Sequence, residues 1–145
     1  AASAHGIHVA ETLAGEHPPL VRQENITRCI YTRLEAASIG LSEEQAKEAG
    51  YDVKVTQSAF QGNAKALIKG ENEGIIKLVI DQTYGEILGA FIVGPHATDL
   101  IGEVLGVKAS EGTIYELSEI IQPHPALLEA IGEGADAYFG SAIHM

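Results

Sequence analysis

The order of apolar and polar positions divides the chain into short β segments followed by a helical third. Residues 1–14 place Ile7, Val9, Ala10, Leu13 and Ala14 at helical spacing, and Gly15 follows as a stop. His17-Pro18-Pro19 reads as extended linker. Ile26 to Thr32 carries the β-branched and aromatic residues of a strand. Ser42 is placed to cap a helix with Glu43 and Glu44 in its first turn, and Gly50 closes it. Tyr51 to Thr56 alternates as a half-buried strand does. Gly74 to Asp81 and Glu86 to Val93 are the clearest strands. Gln82-Thr83-Tyr84-Gly85 supplies the turn of an antiparallel hairpin.

After Gly94-Pro95-His96, Leu100, Ile101, Val104, Leu105 and Lys108 fall three and four apart, which predicts a helix from Ala97 to about Ala109. Thr113 caps a short helix over Ile114 to Ile121. Pro123 and Pro125 break the chain, and a last helix runs from Leu127 to about Tyr138. Strands first and helices after predict an α+β domain: a mostly antiparallel sheet with helices packed on one face, preceded by a helical tail. Residues 1–20 are the tail helix and linker, and residues 21–145 the domain proper.

Composition narrows the function. At 145 residues the expectation is one domain with its own core. A net charge of −11 argues against nucleic acid and anionic membrane surfaces, and leaves basic protein partners open. Cys29 is the single cysteine, so the chain has no internal disulfide and no Cys-rich metal site. Within Arg28-Cys29-Ile30-Tyr31 it reads as a small buried hydrophobe, consistent with a reducing compartment. No apolar run approaches the ~20 residues that span a bilayer. The first residues lack the basic and apolar regions of a signal peptide, and they lack an initiator Met, as a fragment or processed product does.

The most informative stretch is Gln122-Pro123-His124-Pro125-Ala126-Leu127-Leu128-Glu129. Pro125 restricts His124 to extended geometry, and the His124–Pro125 bond is of the kind that can be cis. Glu129 follows at the start of an apolar helical run. A carboxylate on one imidazole nitrogen fixes the tautomer and strengthens the other nitrogen as a base, which makes an acid/base unit. Spacing alone favours the plainer reading, a loop histidine between two helices and a carboxylate facing a helix N-terminus. His96 reads as turn chemistry. His5 and His8 lie three apart without a third ligand, and His17 and His144 lie in linker and tail, so no metal is assigned. The glycines at 89 and 94, and at 132 and 134, do not form a dinucleotide fingerprint; they read as positions of close packing.

Several segments together resemble the pyridine nucleotide–disulfide oxidoreductases, most of all their dihydrolipoamide dehydrogenase branch. The stretch His124-Pro125-Ala126-Leu127-Leu128-Glu129 is similar to the family's His-Pro-Thr-Leu-Ser-Glu. Gly74-Ile75-Ile76-Lys77-Leu78-Val79, with Gly85-Glu86-Ile87-Leu88-Gly89-Ala90-Phe91-Ile92-Val93-Gly94, resembles its G-x-x-K-L-V and G-x-I-L-G-A-x-I-V-G core. Tyr31-Thr32-Arg33-Leu34-Glu35 through Gly40-Leu41-Ser42-Glu43 and Asn63-Ala64-Lys65-Ala66-Leu67 match two further segments.

The resemblance implies the C-terminal interface, or dimerisation, domain of such an enzyme. Residues 1–20 become the last helix of an FAD-binding domain and its linker. FAD, NAD and the redox disulfide belong to segments this chain does not carry, so the chain by itself is expected to bind no cofactor and to be inactive. His124 becomes the acid/base toward a dihydrolipoamide thiol and the partner subunit's cysteine. Glu129 orients it, and His124 and Pro125 lie beside the partner's flavin. A homodimer follows, in the cytoplasm or, in a eukaryote, the mitochondrial matrix. The alternative role is a docking module for the basic subunit-binding domain of an acyltransferase in a 2-oxo acid dehydrogenase complex. Ala126 and Leu128 replace the family's Thr and Ser, Gln122 replaces a first histidine, and Leu34 replaces a proline. A glutathione-reductase-like reading lacks that branch's two adjacent glutamates, and a mercuric-reductase-like reading lacks its C-terminal cysteine pair.

Overall fold

The computed structural model describes residues 1–144. Five strands form one antiparallel sheet: β1 (Arg28–Ile30), β2 (Glu35–Gly40), β3 (Val53–Ala59), β4 (Ile75–Asp81) and β5 (Ile87–Gly94), in the order β1-β2-β5-β4-β3. The helices are α1 (Ala2–Leu13), α2 (Glu43–Glu48), α3 (Ala64–Lys69), α4 (Ala97–Ala109), α5 (Ile114–Glu119) and α6 (Glu129–Phe139). The expected hairpin is the centre of the sheet. Gly85 takes φ +73° in its turn, and Ile76 pairs with Ile92 and Leu78 with Ala90.

The main core lies between the sheet and the helices α4, α5 and α6. Ile76, Leu78 and Ile80 of β4 meet Ile101 and Val104 of α4, Leu117 of α5 and Ile131 of α6. All are buried, each contributing about 1.5–3 kcal/mol of transfer free energy. The next residue out of phase, Val79, joins Leu88 and Ala46 of α2 in a smaller cluster on the opposite face. Two hydroxyls of β3 anchor α6 to the sheet. Thr56 Oγ1 donates to the Gly134 carbonyl at 2.7 Å, and Ser58 Oγ to the Ala130 carbonyl at 2.5 Å. Gly134 permits this approach, since a Cβ there would stand 3.3 Å from Ser58 Oγ.

Ser42 and Thr113 cap α2 and α5 as the sequence suggests, each in a reciprocal box with the residue three positions on, Gln45 and Glu116. Elsewhere the structure adds to the sequence reading or trims it. The expected strand over 26–32 is only three residues long, preceded by a 3-10 turn over Gln23–Asn25. The last helix starts at Glu129, two residues late. Strand β2 and helix α3 are additions. Glu-Ala-Ala-Ser-Ile-Gly is a weak β sequence, and β2 is a strand because β1 and β5 flank it on both sides. Helix α3 is too short to show a period. Cys29 is half-buried and packs against the main core. Helix α1 buries none of its residues; Ile7, Val9 and Leu13 are all exposed.

Candidate functional site

The loop between α5 and α6 projects His124 from the helical layer, and three contacts hold it. Gln122 Nε2 donates to the Glu103 carboxylate on α4. Asn63 Nδ2 donates to the Ala126 carbonyl at 2.9 Å. The Ala126 N–H donates to Glu129 Oε2 at 2.7 Å. The His124–Pro125 peptide is cis.

The other oxygen of Glu129, Oε1, lies 2.7 Å from His124 Nδ1. One carboxylate thus bridges the loop backbone and the imidazole. Burial raises the Glu129 carboxyl, but the Ala126 N–H and the imidazoles of His124 and His144 outweigh it, and the net shift is downward. An ionised Glu129 only accepts, so Nδ1 donates and carries the proton. Nε2 of a neutral His124 then holds a lone pair. The His124 side chain is 72% exposed while Glu129 is 28% exposed, so a braced carboxylate backs an accessible ring. The arrangement can take a proton at Nε2 and return it.

The ring borders a cavity of about 70 Å³, with Asn63, Gly62, Glu129, Glu133 and His144 among its lining. His144, placed in the tail by the sequence, comes back to this cavity, where Nδ1 lies 3.0 Å from Glu133 Oε1. Sequence reasoning missed Asn63, Glu103, Glu133 and His144. The Asn63 signal was present in Asn63-Ala64-Lys65-Ala66-Leu67, where an Asn precedes a helix. The other three are brought in by tertiary contacts that no local spacing announces.

The remaining candidates lie apart from the site. His96 begins α4 at φ +55°, with Nε2 2.7 Å from Lys69 Nζ. His8 Nδ1 contacts the Pro19 carbonyl at 3.1 Å. Gly132 and Gly134 both fall inside α6. Cys29 does not line the cavity. Among the described residues no group of three or more His, Cys, Asp or Glu gathers as a metal site, and no helix is long and apolar enough to cross a membrane.

The profile of the pyridine nucleotide-disulphide oxidoreductase dimerisation domain matches residues 26–135. The chain belongs to this family. As a member of it, this dimerisation domain is 43% identical over 143 residues to a dihydrolipoyl dehydrogenase of Bacillus subtilis (strain 168), covering 99% of the chain and 30% of that protein. It is 40% identical over 144 residues to the dihydrolipoyl dehydrogenase of Zymomonas mobilis, covering 99% of the chain and 31% of that protein. The domain therefore spans just under a third of the curated relatives it matches. Among solved structures, LpdA from Mycobacterium tuberculosis superposes with a TM-score of 0.80 at 22% identity, over 90% of this chain and 28% of that one. The HOCl-induced flavoprotein disulfide reductase RclA from Escherichia coli gives 0.79 at 22% identity, over 88% and 30%. These two likenesses concern the fold.

Proposed function

We propose that this chain is the interface domain of a dihydrolipoyl dehydrogenase, lending His124 and Glu129 to the FAD and disulfide site of a partner subunit. The observation that carries the reading is the bridging of His124 Nδ1 and the Ala126 N–H by one carboxylate, which leaves Nε2 available beside a cavity. Residues 1–20 are then the last helix of an FAD-binding domain and its linker. Helix α1 buries none of its residues, as a helix does whose partner belongs to another domain.

In this reading His124 Nε2 takes the proton of a dihydrolipoamide thiol. The thiolate attacks one sulfur of the partner's redox disulfide, a new S–S bond forms, and the other cysteine leaves as thiolate. The second substrate thiol then closes the lipoamide disulfide and releases the first cysteine. Glu129 keeps the imidazole in the tautomer that accepts at Nε2 and stabilises the imidazolium. FAD supplies the two-electron acceptor between that dithiol and NAD+. Toward the flavin this chain offers the exposed elbow at His124 and Pro125. It carries no glycine-rich cradle for a diphosphate, so FAD and NAD+ would be held by other domains. The enzyme would be a homodimer with each site shared across a two-fold axis.

Substitution His124→Gln in the full-length flavoprotein tests this. Turnover with dihydrolipoamide should fall by roughly 10²–10⁴ while the dimer persists. Turnover near wild type would overturn the assignment.

The net charge of −11 favours a second role for the same chain, docking the basic subunit-binding domain of an acyltransferase. That binding should weaken steeply with salt, and equal affinity at low and high salt would argue against it.

A further inference from the structure

Helix α6 carries a second histidine–carboxylate pair, one turn beyond the first. Glu133 Oε2 accepts from the Ile143 N–H at 2.8 Å and the His144 N–H at 3.0 Å, while Oε1 meets His144 Nδ1 at 3.0 Å. The tail after α6 turns back at Gly140, φ +75°, and these three bonds fold it against the helix it has just left. Its far side rests on the 3-10 turn Phe60–Gly62. A Cβ at Gly62 would stand 2.1 Å from the His144 carbonyl oxygen and 2.9 Å from the carbonyl carbon. Both are backbone atoms that no rotamer change can move. The φ of Gly62 is not in the left-handed region, so its own conformation does not demand glycine. The absence of a side chain there is explained by the seat it makes for the tail.

Gly62 and His144 line the same cavity as His124 and Glu129. The contacts run in sequence from Gly62 to the tail, from the tail to Glu133, and along one turn of α6 to Glu129 and His124.

We infer that residues 141–144, the segment after α6, form a latch seated on Gly62 and Glu133, and that it makes His144 a positioning residue for the His124–Glu129 pair. Its importance for turnover rests on the function proposed above. The latch itself is a property of this chain and is read without any turnover, so the two can fail separately.

The test uses the 145-residue chain and two variants that attack the latch from opposite sides, Gly62→Ala by steric exclusion and Glu133→Gln by loss of charge. Amide exchange at Ile143 and His144 reports docking, exchange in β4 reports the fold, and the ring ¹⁵N signals of His124 report positioning. In the wild type both tail amides should be protected. In each variant their exchange should rise by roughly tenfold or more, with β4 still protected and the His124 ring signals shifted. Tail amides exchanging freely in the wild type, or remaining protected in both variants, would overturn the latch. A released tail with unmoved His124 signals would overturn the positioning role. If Gly62→Ala also opens β4, Glu133→Gln decides alone.

Discussion

Asn63 holds two elements with the two ends of one amide. Its Oδ1 accepts from the Ala66 N–H at 2.9 Å and caps α3, and its Nδ2 donates to the Ala126 carbonyl two residues beyond His124. It is buried. The geometry of the site loop is therefore tied to a helix far away in sequence.

Asn63→Ala removes both bonds and should cost about 2 kcal/mol or more. Asn63→Asp keeps the cap oxygen but sets an acceptor against the Ala126 carbonyl, and should also destabilise. Urea denaturation of the three chains checks this. An Asp variant as stable as the wild type would show that the Ala126 contact contributes nothing.

Glu103 should set a pH dependence of its own. Burial pushes its carboxyl above the ordinary range, and the hydrogen bond from Gln122 offsets only part of that. One of its oxygens, Oε2, is buried without a partner among the described residues. The folded chain holds this proton more tightly than the unfolded one. Stability from this group is thus greatest below the unfolded carboxylate pKa of about 4.3, and declines as pH rises toward the raised folded value. Glu103→Gln, which keeps an oxygen for Gln122, should gain on the wild type as pH rises through that window. Two stability curves running parallel from about pH 4 to 7 would contradict this.

Glu129 should behave in the opposite sense. Its carboxyl is lowered, against burial, by the Ala126 N–H and the His124 ring. Its contribution is present above the unfolded pKa of about 4.3 and is lost as pH falls through the lowered folded value. The stability difference between wild type and Glu129→Gln should shrink on acidification below about pH 4. A difference constant with pH would mean that the two chains do not differ through this ionisation.

The anchoring of α6 to β3 predicts a loss without a cavity. Thr56→Val replaces the hydroxyl bonded to the Gly134 carbonyl with a methyl of similar size. It should cost about 1 kcal/mol, read as a lower midpoint of thermal unfolding. An unchanged midpoint would show that the Thr56 hydroxyl contributes nothing to holding α6.

Much of this was legible in the sequence, for identifiable reasons. The β4–β5 hairpin and α4 declare themselves through long, regular apolar patterns, and Ser42 and Thr113 through capping chemistry. The His124–Glu129 pair was legible because both residues sit within one short segment. Strand β2 was not, because Ala36, Ala37 and Ser38 gain their strand conformation from neighbours on either side. Glu103 with Gln122, and Glu133 with His144, were not legible because each pair joins the site through contacts across helices or from the tail. The sequence segment around Asn63 resembled the family's, but its two hydrogen bonds, to Ala66 and to Ala126, needed the fold to be visible.

The central claim is that His124 serves a redox site on another subunit. Mixed dimers test it most directly. A full-length flavoprotein carrying His124→Gln and one lacking the redox cysteines should each be inactive as homodimers. Re-associated in equal amounts, half of the dimers would pair one of each and hold a single intact site, so about a quarter of wild-type turnover should return. No recovery from verified mixed dimers would contradict a site shared across the two-fold axis.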